Sequence, residues 1–506
     1  MTQTYFTGGR LLLLNVAIGL GTFIQVLDTS IANVAVPYIA GNLGVSADQG
    51  TWVITSFSAS NAVVLPLTGW LSSYFGRVRL FVSSILLFTL MSFLCGLAIS
   101  LPMLVVFRVL QGAVAGSLIP LSQSLIVVCN PPEKKGGALG FWGLVVIIAP
   151  VLGPIIGGYL TYNYSWPWIF YLNVPIGIFS ALVVWVILKD QESHIVRTPI
   201  DVLGLALLAI GVGALQIMLD KGKDLDWFES PAIITLTIVS GMALLYFFIW
   251  NAFQKSPVVD FSFLKNRNFV LGTVATTVGF LLYFASTVTL PLWLQTEQNY
   301  TASWAGVAVA PIGLVPLIAM PFVGKYMGRF DLRLVIALSF FFFFLGFYYQ
   351  ALFTTDVTLG HIMWTRFLQG FGISIFFIPL TQLTLGQIPE ERYVSASGLF
   401  NFIRILVGSG FGTSLSIELW TRREIFHHGR LTEALTHYRE VVGQFYQQFR
   451  SFNPQFTTPV IDRVLDSQVE QQAFMLSTNE LAALSALLFL LVIPLIFFCK
   501  RVKKTS

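Results

Sequence analysis

Gly21-Thr22-Phe23-Ile24-Gln25-Val26-Leu27-Asp28-Thr29-Ser30-Ile31-Ala32-Asn33-Val34-Ala35-Val36-Pro37 decides how the chain must be read. It sets one carboxylate, Asp28, inside an apolar run that begins at Leu11, with no other charge nearby in sequence. A charge at the centre of a bilayer helix costs about 2.5 to 3.5 kcal/mol on insertion scales, so it persists only where a partner or a wet cavity receives it. The rest of the chain is therefore expected to supply that partner.

Working outward, the composition agrees with a membrane setting. The 506 residues are 55% hydrophobic and only 10% charged, against about 25% charged in a typical soluble domain, and the mean hydropathy is +0.77. This predicts an all-α, polytopic membrane protein. Apolar stretches long enough to cross about 30 Å of hydrocarbon run at 11–36, 51–72, 80–99, 102–128, 138–160, 168–188, 202–219, 231–253, 269–293, 304–324, 334–353, 360–388, 394–419 and 479–499. Fourteen spans put both termini on one side. The first is too long for a signal-peptide core and has no convincing cleavage site after it, so it reads as a retained span. Of the 29 lysines and arginines, eighteen fall in short loops on the side of the termini and two, Lys221 and Lys223, in short loops opposite. The positive-inside rule then predicts cytoplasmic termini. With the net charge of +5 accounted for by topology, nothing is left to suggest nucleic acid. Cys95, Cys129 and Cys499 lie in apolar segments and form no disulfide or metal pattern.

The chain also repeats itself. Arg108-Val109-Leu110-Gln111-Gly112 recurs as Arg366-Phe367-Leu368-Gln369-Gly370, and Ile119-Pro120-Leu121-Ser122-Gln123 as Ile378-Pro379-Leu380-Thr381-Gln382. Pro66-Leu67-Thr68-Gly69 before Arg79 likewise parallels Pro321-Phe322-Val323-Gly324 before Arg333. The expected organisation is a six-helix bundle at 1–190, two inserted helices with flanking loops at 191–268, and a second six-helix bundle at 269–506 that includes a long outer loop at 420–478. Parallel six-helix halves around a midplane site are the layout of a rocking secondary transporter.

These residues resemble the major facilitator superfamily, and within it the fourteen-helix drug:proton antiporters of the EmrB and QacA type. The likeness is carried by Asp28 in its Leu27-to-Ala35 setting, Gly69 to Arg79, Arg108 to Gly112, and Gly153-Pro154-Ile155-Ile156-Gly157-Gly158. Gln49 to Phe57 and Trp168 to Pro175 extend it along the chain. The resemblance implies proton-driven efflux of lipophilic or amphiphilic drugs across a bacterial inner membrane, with no cofactor. It also implies a periplasmic adaptor, or membrane fusion protein, and an outer-membrane channel as partners. One departure is Ser73, which stands where the superfamily's loop motif usually has an acid, so a charge latch built there is not expected; Gly76, Arg77 and Arg79 remain. A dedicated exporter of one metabolite class, such as a siderophore or fatty acid, is the main alternative. A channel or a membrane ligand sensor is the alternative of another class. No catalytic constellation appears, so the chain does not read as an enzyme.

At about 1.5 Å per residue, Asp28 and Arg108 reach a similar depth from opposite ends of their helices. They are expected to pair, the arginine favouring the carboxylate and burial favouring the neutral acid. A group pulled both ways suits a proton-coupling step; the same pair also reads as a permanent clamp between two helices. Gln25, one turn below, lines the same cavity or bonds a neighbour. Ala149, Gly153 and Gly157 leave one edge of the fifth helix bare, and Pro150 and Pro154 disfavour a straight one. That combination reads as a pivot or as plain close packing. In the second half, Arg366 and Arg404 are buried cations with no equally deep acid on their helices, and Glu418 is a candidate partner. With Asp28 and Arg108 counted, the spans hold a positive surplus, which favours neutral or anionic amphiphiles. Tyr283, Phe400 and Asn401 are further candidates for the cavity wall. In segment 420–478, His427, His428 and His437 match no complete metal site, and Val441 to Phe452 is amphipathic.

Overall fold

A chain in hydrocarbon has no water to satisfy its N–H and C=O groups, so its apolar runs must bond internally as helices. The computed structural model describes residues 6–192, 195, 201–254, 257–326, 330–435, 440–452 and 457–501. His437 and the basic residues Arg197, Lys255, Arg329, Lys503 and Lys504 lie outside them. In chain order the helices are α1 (Gly8–Leu43), α2 (52–75), α3 (Arg77–Gly96), α4 (Leu101–Cys129), α5 (Pro132–Asn163), α6 (Trp168–Leu188) and α7 (Val202–Lys221). They continue as α8 (Pro231–Phe253), α9 (Arg267–Thr296), α10 (302–326), α11 (Leu332–Gln350), α12 (Leu359–Leu385), α13 (Glu390–Glu433) and α14 (Thr458–Phe497). Among the described residues eleven of these are long and apolar enough to cross a membrane, and α5 makes twelve if its two bent pieces form one span. The remaining two are α2, interrupted by a tight turn at Leu65–Leu67, and α10, broken at Ala310. Helical segments thus occupy each of the fourteen stretches marked out by hydropathy, and no strand occurs among the described residues.

The repeat seen in sequence is a repeat of packing. In the first half α1 lies on α5, α2 on α4, and α3 on both α4 and α6; in the second, α9 lies on α13, α10 on α12, and α11 on both α12 and α14. The halves meet along α5 with α10 and along α2 with α13, where α4 also packs. The inserted helices α7 and α8 pair with each other, and α7 lies against α2.

Polar bonds between the halves gather toward the end of the bundle that carries the termini. Lys135 pairs with Glu390 at 2.9 Å, and Arg77 donates to the Glu390 carbonyl at 2.8 Å. Gly69 lets α13 approach so closely that a Cβ there would lie 2.7 Å from the Ser395 Cα. Gly76 turns the chain at φ 90°, a conformation open to glycine at little cost. The Glu192 carboxylate then accepts from the first N–H groups of α3, Val78 at 3.0 Å and Arg79 at 2.9 Å, satisfying donors that a helix start leaves free.

Segment 420–478 differs from the expected loop. α13 runs past its apolar part and α14 starts well before residue 479, because the two extensions are stitched together. Arg423 grips Glu480 through two bonds of 2.6 and 2.7 Å, His427 meets Glu480 at 3.0 Å, and His428 meets Asp466 at 3.1 Å. Trp420 packs on Phe474 and donates to Thr478 at 2.9 Å. The amphipathic stretch is a helix, Glu440–Phe452.

Candidate functional site

Asp28 sits halfway along α1, fully buried, and the partner it requires comes from α4. Arg108 Nη1 lies 2.5 Å from Asp28 Oδ2. The other oxygen, Oδ1, accepts from Asn173 of α6 at 3.0 Å and from Gln111 of α4 at 3.3 Å. Arg108 is fixed in turn by the Val53 carbonyl at 2.9 Å and the Gln111 side chain at 2.8 Å. The rings of Phe57 and Phe170 lie 4.3 and 5.6 Å from its guanidinium carbon. Four helices, α1, α2, α4 and α6, therefore converge on one ion pair shut away from solvent. Removing one partner would strand a buried charge, which makes such a pair costly to break singly.

The kinked helix lies one turn away. The α5 pieces Lys134–Pro150 and Ile155–Asn163 meet at 45°. Pro154 has no N–H, so the Pro150 carbonyl loses its partner within the helix; Ser30 of α1 supplies one, its hydroxyl donating at 2.9 Å. A Cβ at Gly153 would lie 2.5 Å from the Ser30 Cβ and 3.1 Å from the Ile31 nitrogen, and one at Gly157 would lie 2.7 Å from Ile31 Cγ1. The bare edge of α5 is thus occupied by the turn of α1 that follows Asp28.

A second group of polar and aromatic residues stands where the halves face each other. Trp142 of α5 donates to Thr22 at 3.0 Å and Ser122 at 2.9 Å, and its ring stacks on Phe377 of α12 at 5.8 Å. Arg404 of α13 lies 4.6 Å from the Phe280 ring and 5.0 Å from the Phe377 ring, and it donates to Asn401 at 2.8 Å. Asn401 donates to Gln123 of α4 at 2.9 Å, and the Ser397 hydroxyl donates to the same Gln123 oxygen. Gln25 Oε1, Gln123 Nε2 and Arg404 Nε are buried and have no hydrogen-bond partner among the described residues. Such groups are uncommon in a settled core and provide hydrogen-bonding capacity for a guest.

Not every expected residue joins this group. Tyr283 packs edge-on to Phe284 at 5.3 Å, beside Phe280. Phe400 points away, into the apolar seam with Ala62, Leu67, Val212 and Leu399. Glu418 reaches neither Arg366 nor Arg404; it pairs with Arg422 and accepts from Trp227 at 2.8 Å. Arg366 instead bonds Gln369 at 2.7 Å, Ser286 at 2.8 Å and Gln350 at 3.0 Å. Sequence reasoning missed Asn173, Trp142 and the role of Gln123, although Gln111 and Gln123 were already visible as repeated glutamines. No group of side chains suited to a metal occurs among the described residues.

Two repeated six-helix halves, the first holding a buried acid–arginine pair among its own helices, are the layout of a membrane transporter rather than of an enzyme. The model of the Major Facilitator Superfamily matches residues 18–413, and the chain belongs to that family. It is 47% identical to the Multidrug export protein EmrB of Haemophilus influenzae, over 97% of this chain and 96% of that one. It is 45% identical to the Fatty acid resistance protein FarB of Neisseria gonorrhoeae, over 97% of each. The fold is similar to that of the human organic anion transporter MFSD10, with a TM-score of 0.59 at 12% identity, covering 97% of this chain and 100% of that one. It is likewise similar to the proton:xylose symporter XylE, with a TM-score of 0.55 at 13% identity, covering 99% and 98%.

Proposed function

We propose that the chain exports lipophilic or amphiphilic compounds across a bacterial inner membrane by proton antiport, with both termini in the cytoplasm. The observation that carries this reading is the sealed Asp28–Arg108 pair, set one turn from the α5 kink. A proton arriving from outside neutralises Asp28 and releases the electrostatic hold on α4. Because Ser30 and Ile31 are packed into the bare edge of α5, movement of α1 is passed to the helix that contacts the other half. The halves then rock, the proton leaves inward, and substrate taken from the cytoplasm or inner leaflet departs on the reverse stroke. One charge moved through 100 mV supplies about 2.3 kcal/mol, and each unit of pH difference adds about 1.4.

Between the halves, Trp142, Phe280, Phe377, Asn401 and Arg404 offer apolar rings with a few polar handles, as a broad substrate site requires. The positive surplus from Arg366 and Arg404 favours neutral or anionic amphiphiles. The names of the relatives, multidrug export and fatty acid resistance, support export and keep a dedicated fatty acid exporter as the second reading. The joined extensions of α13 and α14, with the helix Glu440–Phe452, fit a role in meeting a periplasmic adaptor that leads to an outer-membrane channel. The test is efflux of a compound panel from cells expressing the chain, with and without a protonophore. Proton-dependent efflux of several lipophilic compounds, lost in Asp28→Asn, is expected; efflux indifferent to both would overturn the reading.

A further inference from the structure

The repeat is broken at one position that matters chemically. At the offset of 258 that relates Arg108 to Arg366 and Gln111 to Gln369, Asp28 corresponds to Ser286. The bonding repeats around it: Arg108 Nη1 donates to Gln111 at 2.8 Å and Arg366 Nη1 to Gln369 at 2.7 Å. Where the first guanidinium meets a carboxylate, the second meets the Ser286 hydroxyl at 2.8 Å and the Gln350 amide oxygen at 3.0 Å. Arg366 is 1% exposed, its Nε has no partner, and no carboxylate pairs with it among the described residues. A buried charge is ordinarily paired, because leaving water without a counter-ion is strongly unfavourable.

Space lies beside this cation. Ser286 and Gln350, both partners of Arg366, line a cavity of about 130 Å³ whose other walls are mostly apolar, among them Phe347, Leu415, Leu481 and Leu484. Leu415 and Leu484 are 47% and 45% exposed, so the cavity reaches the outer face of the bundle between α13 and α14. Arg366 stands behind Ser286 and Gln350 and is not itself on the cavity wall; a polar end backed by a guanidinium that no described carboxylate neutralises, with a mostly apolar trough leading outward, matches the outline of an amphiphilic anion. Arg404 lacks this second feature, being covered by Phe280 and Phe377.

We infer that Arg366, Ser286 and Gln350 form an anion site for the carboxylate of an aliphatic monocarboxylate, which takes the place that Asp28 fills in the first half while its tail lies in the cavity. This deepens the export reading by naming a substrate class and a place for it, and rests on that reading only for the transport step. The experiment measures binding of radiolabelled dodecanoate to the purified full chain in nanodiscs of zwitterionic lipid. Competitors are dodecanol, dodecyltrimethylammonium and chloride, and the variants are Ser286→Asp and Ser286→Asn.

Aspartate at 286 supplies Arg366 with its own counter-ion, so affinity is expected to fall about tenfold or more. Asparagine adds similar bulk without charge and is expected to retain most binding; the neutral and cationic competitors are expected to displace little. Equal affinity in Ser286→Asp, equal losses in both variants, displacement by dodecanol as strong as by unlabelled dodecanoate, or full displacement by chloride with no dependence on chain length would each overturn the proposal, the last by showing a site for a small inorganic anion. Thermal unfolding of each variant separates loss of the site from loss of the fold. If dodecanoate binds as described but no compound is exported, the export reading falls and the site stands; if proton-driven efflux of neutral compounds runs while binding ignores residue 286, the site falls alone.

Discussion

Asp28 receives three donors, from Arg108, Gln111 and Asn173, an arrangement suited to its charged form. A carboxylate satisfies all three, whereas a neutral acid leaves Arg108 without a counter-charge in a site that excludes water. Asn173 Oδ1 is buried with no partner among the described residues, so rotation of that amide would offer the protonated acid an acceptor. Asp28→Asn keeps the shape and much of the hydrogen bonding but removes the titration; uphill efflux should vanish in proteoliposomes with an imposed pH gradient, while substrate binding persists. Arg108→Gln should be far more damaging to the fold, since a stranded buried carboxylate costs about 3 to 5 kcal/mol, and the double variant should regain part of the lost thermal stability. The ion pair was legible in sequence because charges are so scarce in the spans that each one demands a partner. Asn173 and Trp142 were not legible, because an uncharged polar residue carries no such demand and its partner is set by packing. Phe400 failed for a related reason: a cavity face and a seam face of one helix look alike until the neighbouring helix, here α7, is in place.

At the scale of elements, α5 combines a kink with a bare edge, and the two are coupled through one hydroxyl. Ser30 bonds the carbonyl that Pro154 leaves open, so the bend is held from α1 rather than from within α5. Gly153→Val should force α1 and α5 apart, because the first atom added would meet the Ile31 backbone nitrogen as well as Ser30; overpacking of this kind costs about 1 to 3 kcal/mol. The expected readings are a lower unfolding temperature and lost efflux, with Gly158→Ala as the control, since nothing lies within 4 Å of a Cβ there. The connection from α8 to α9 carries a second link, in which Asp260 accepts from the Ser262 backbone N–H at 2.9 Å and from Arg392 at 2.5 Å. Burial pushes Asp260 up, but the bonds from Ser262 and Arg392 outweigh it and hold the carboxyl below its usual range. A depressed carboxyl adds stability above its unfolded value and loses it as pH falls through the folded one. Acidification below about pH 4 should therefore loosen this strap, seen as lower hydrogen-exchange protection over 257–266 relative to the intrinsic rate at each pH, and Asp260→Asn should show that lower protection already at neutral pH. Hydropathy located these elements but not their ends: it stopped α13 and began α14 where apolarity stops, whereas Arg423 with Glu480 and His428 with Asp466 continue both helices beyond that point.

Across the whole molecule, the two halves share a packing scheme yet divide the chemistry unequally. The first half holds a complete acid–arginine pair; the second holds the arginine with serine opposite. On the proposed mechanism, proton exchange would stay in the first half and the second-half cation would be left to the cargo. The halves are joined toward the end bearing the termini through Glu390, which bridges Lys135 by its carboxylate and Arg77 by its carbonyl. A half-buried ion pair still in reach of water contributes little by itself, about 1 kcal/mol, which suits a contact that parts during rocking. Tethering it should therefore stop transport without unfolding the protein. Lys135→Cys with Glu390→Cys, joined by a short bis-maleimide, should abolish efflux while either single variant keeps most of it; Cys95, Cys129 and Cys499 are all buried and compete little for the reagent. Undiminished efflux from the crosslinked pair would mean that these two positions never separate, and the rocking of one half against the other would have to be abandoned even if Asp28 proved indispensable.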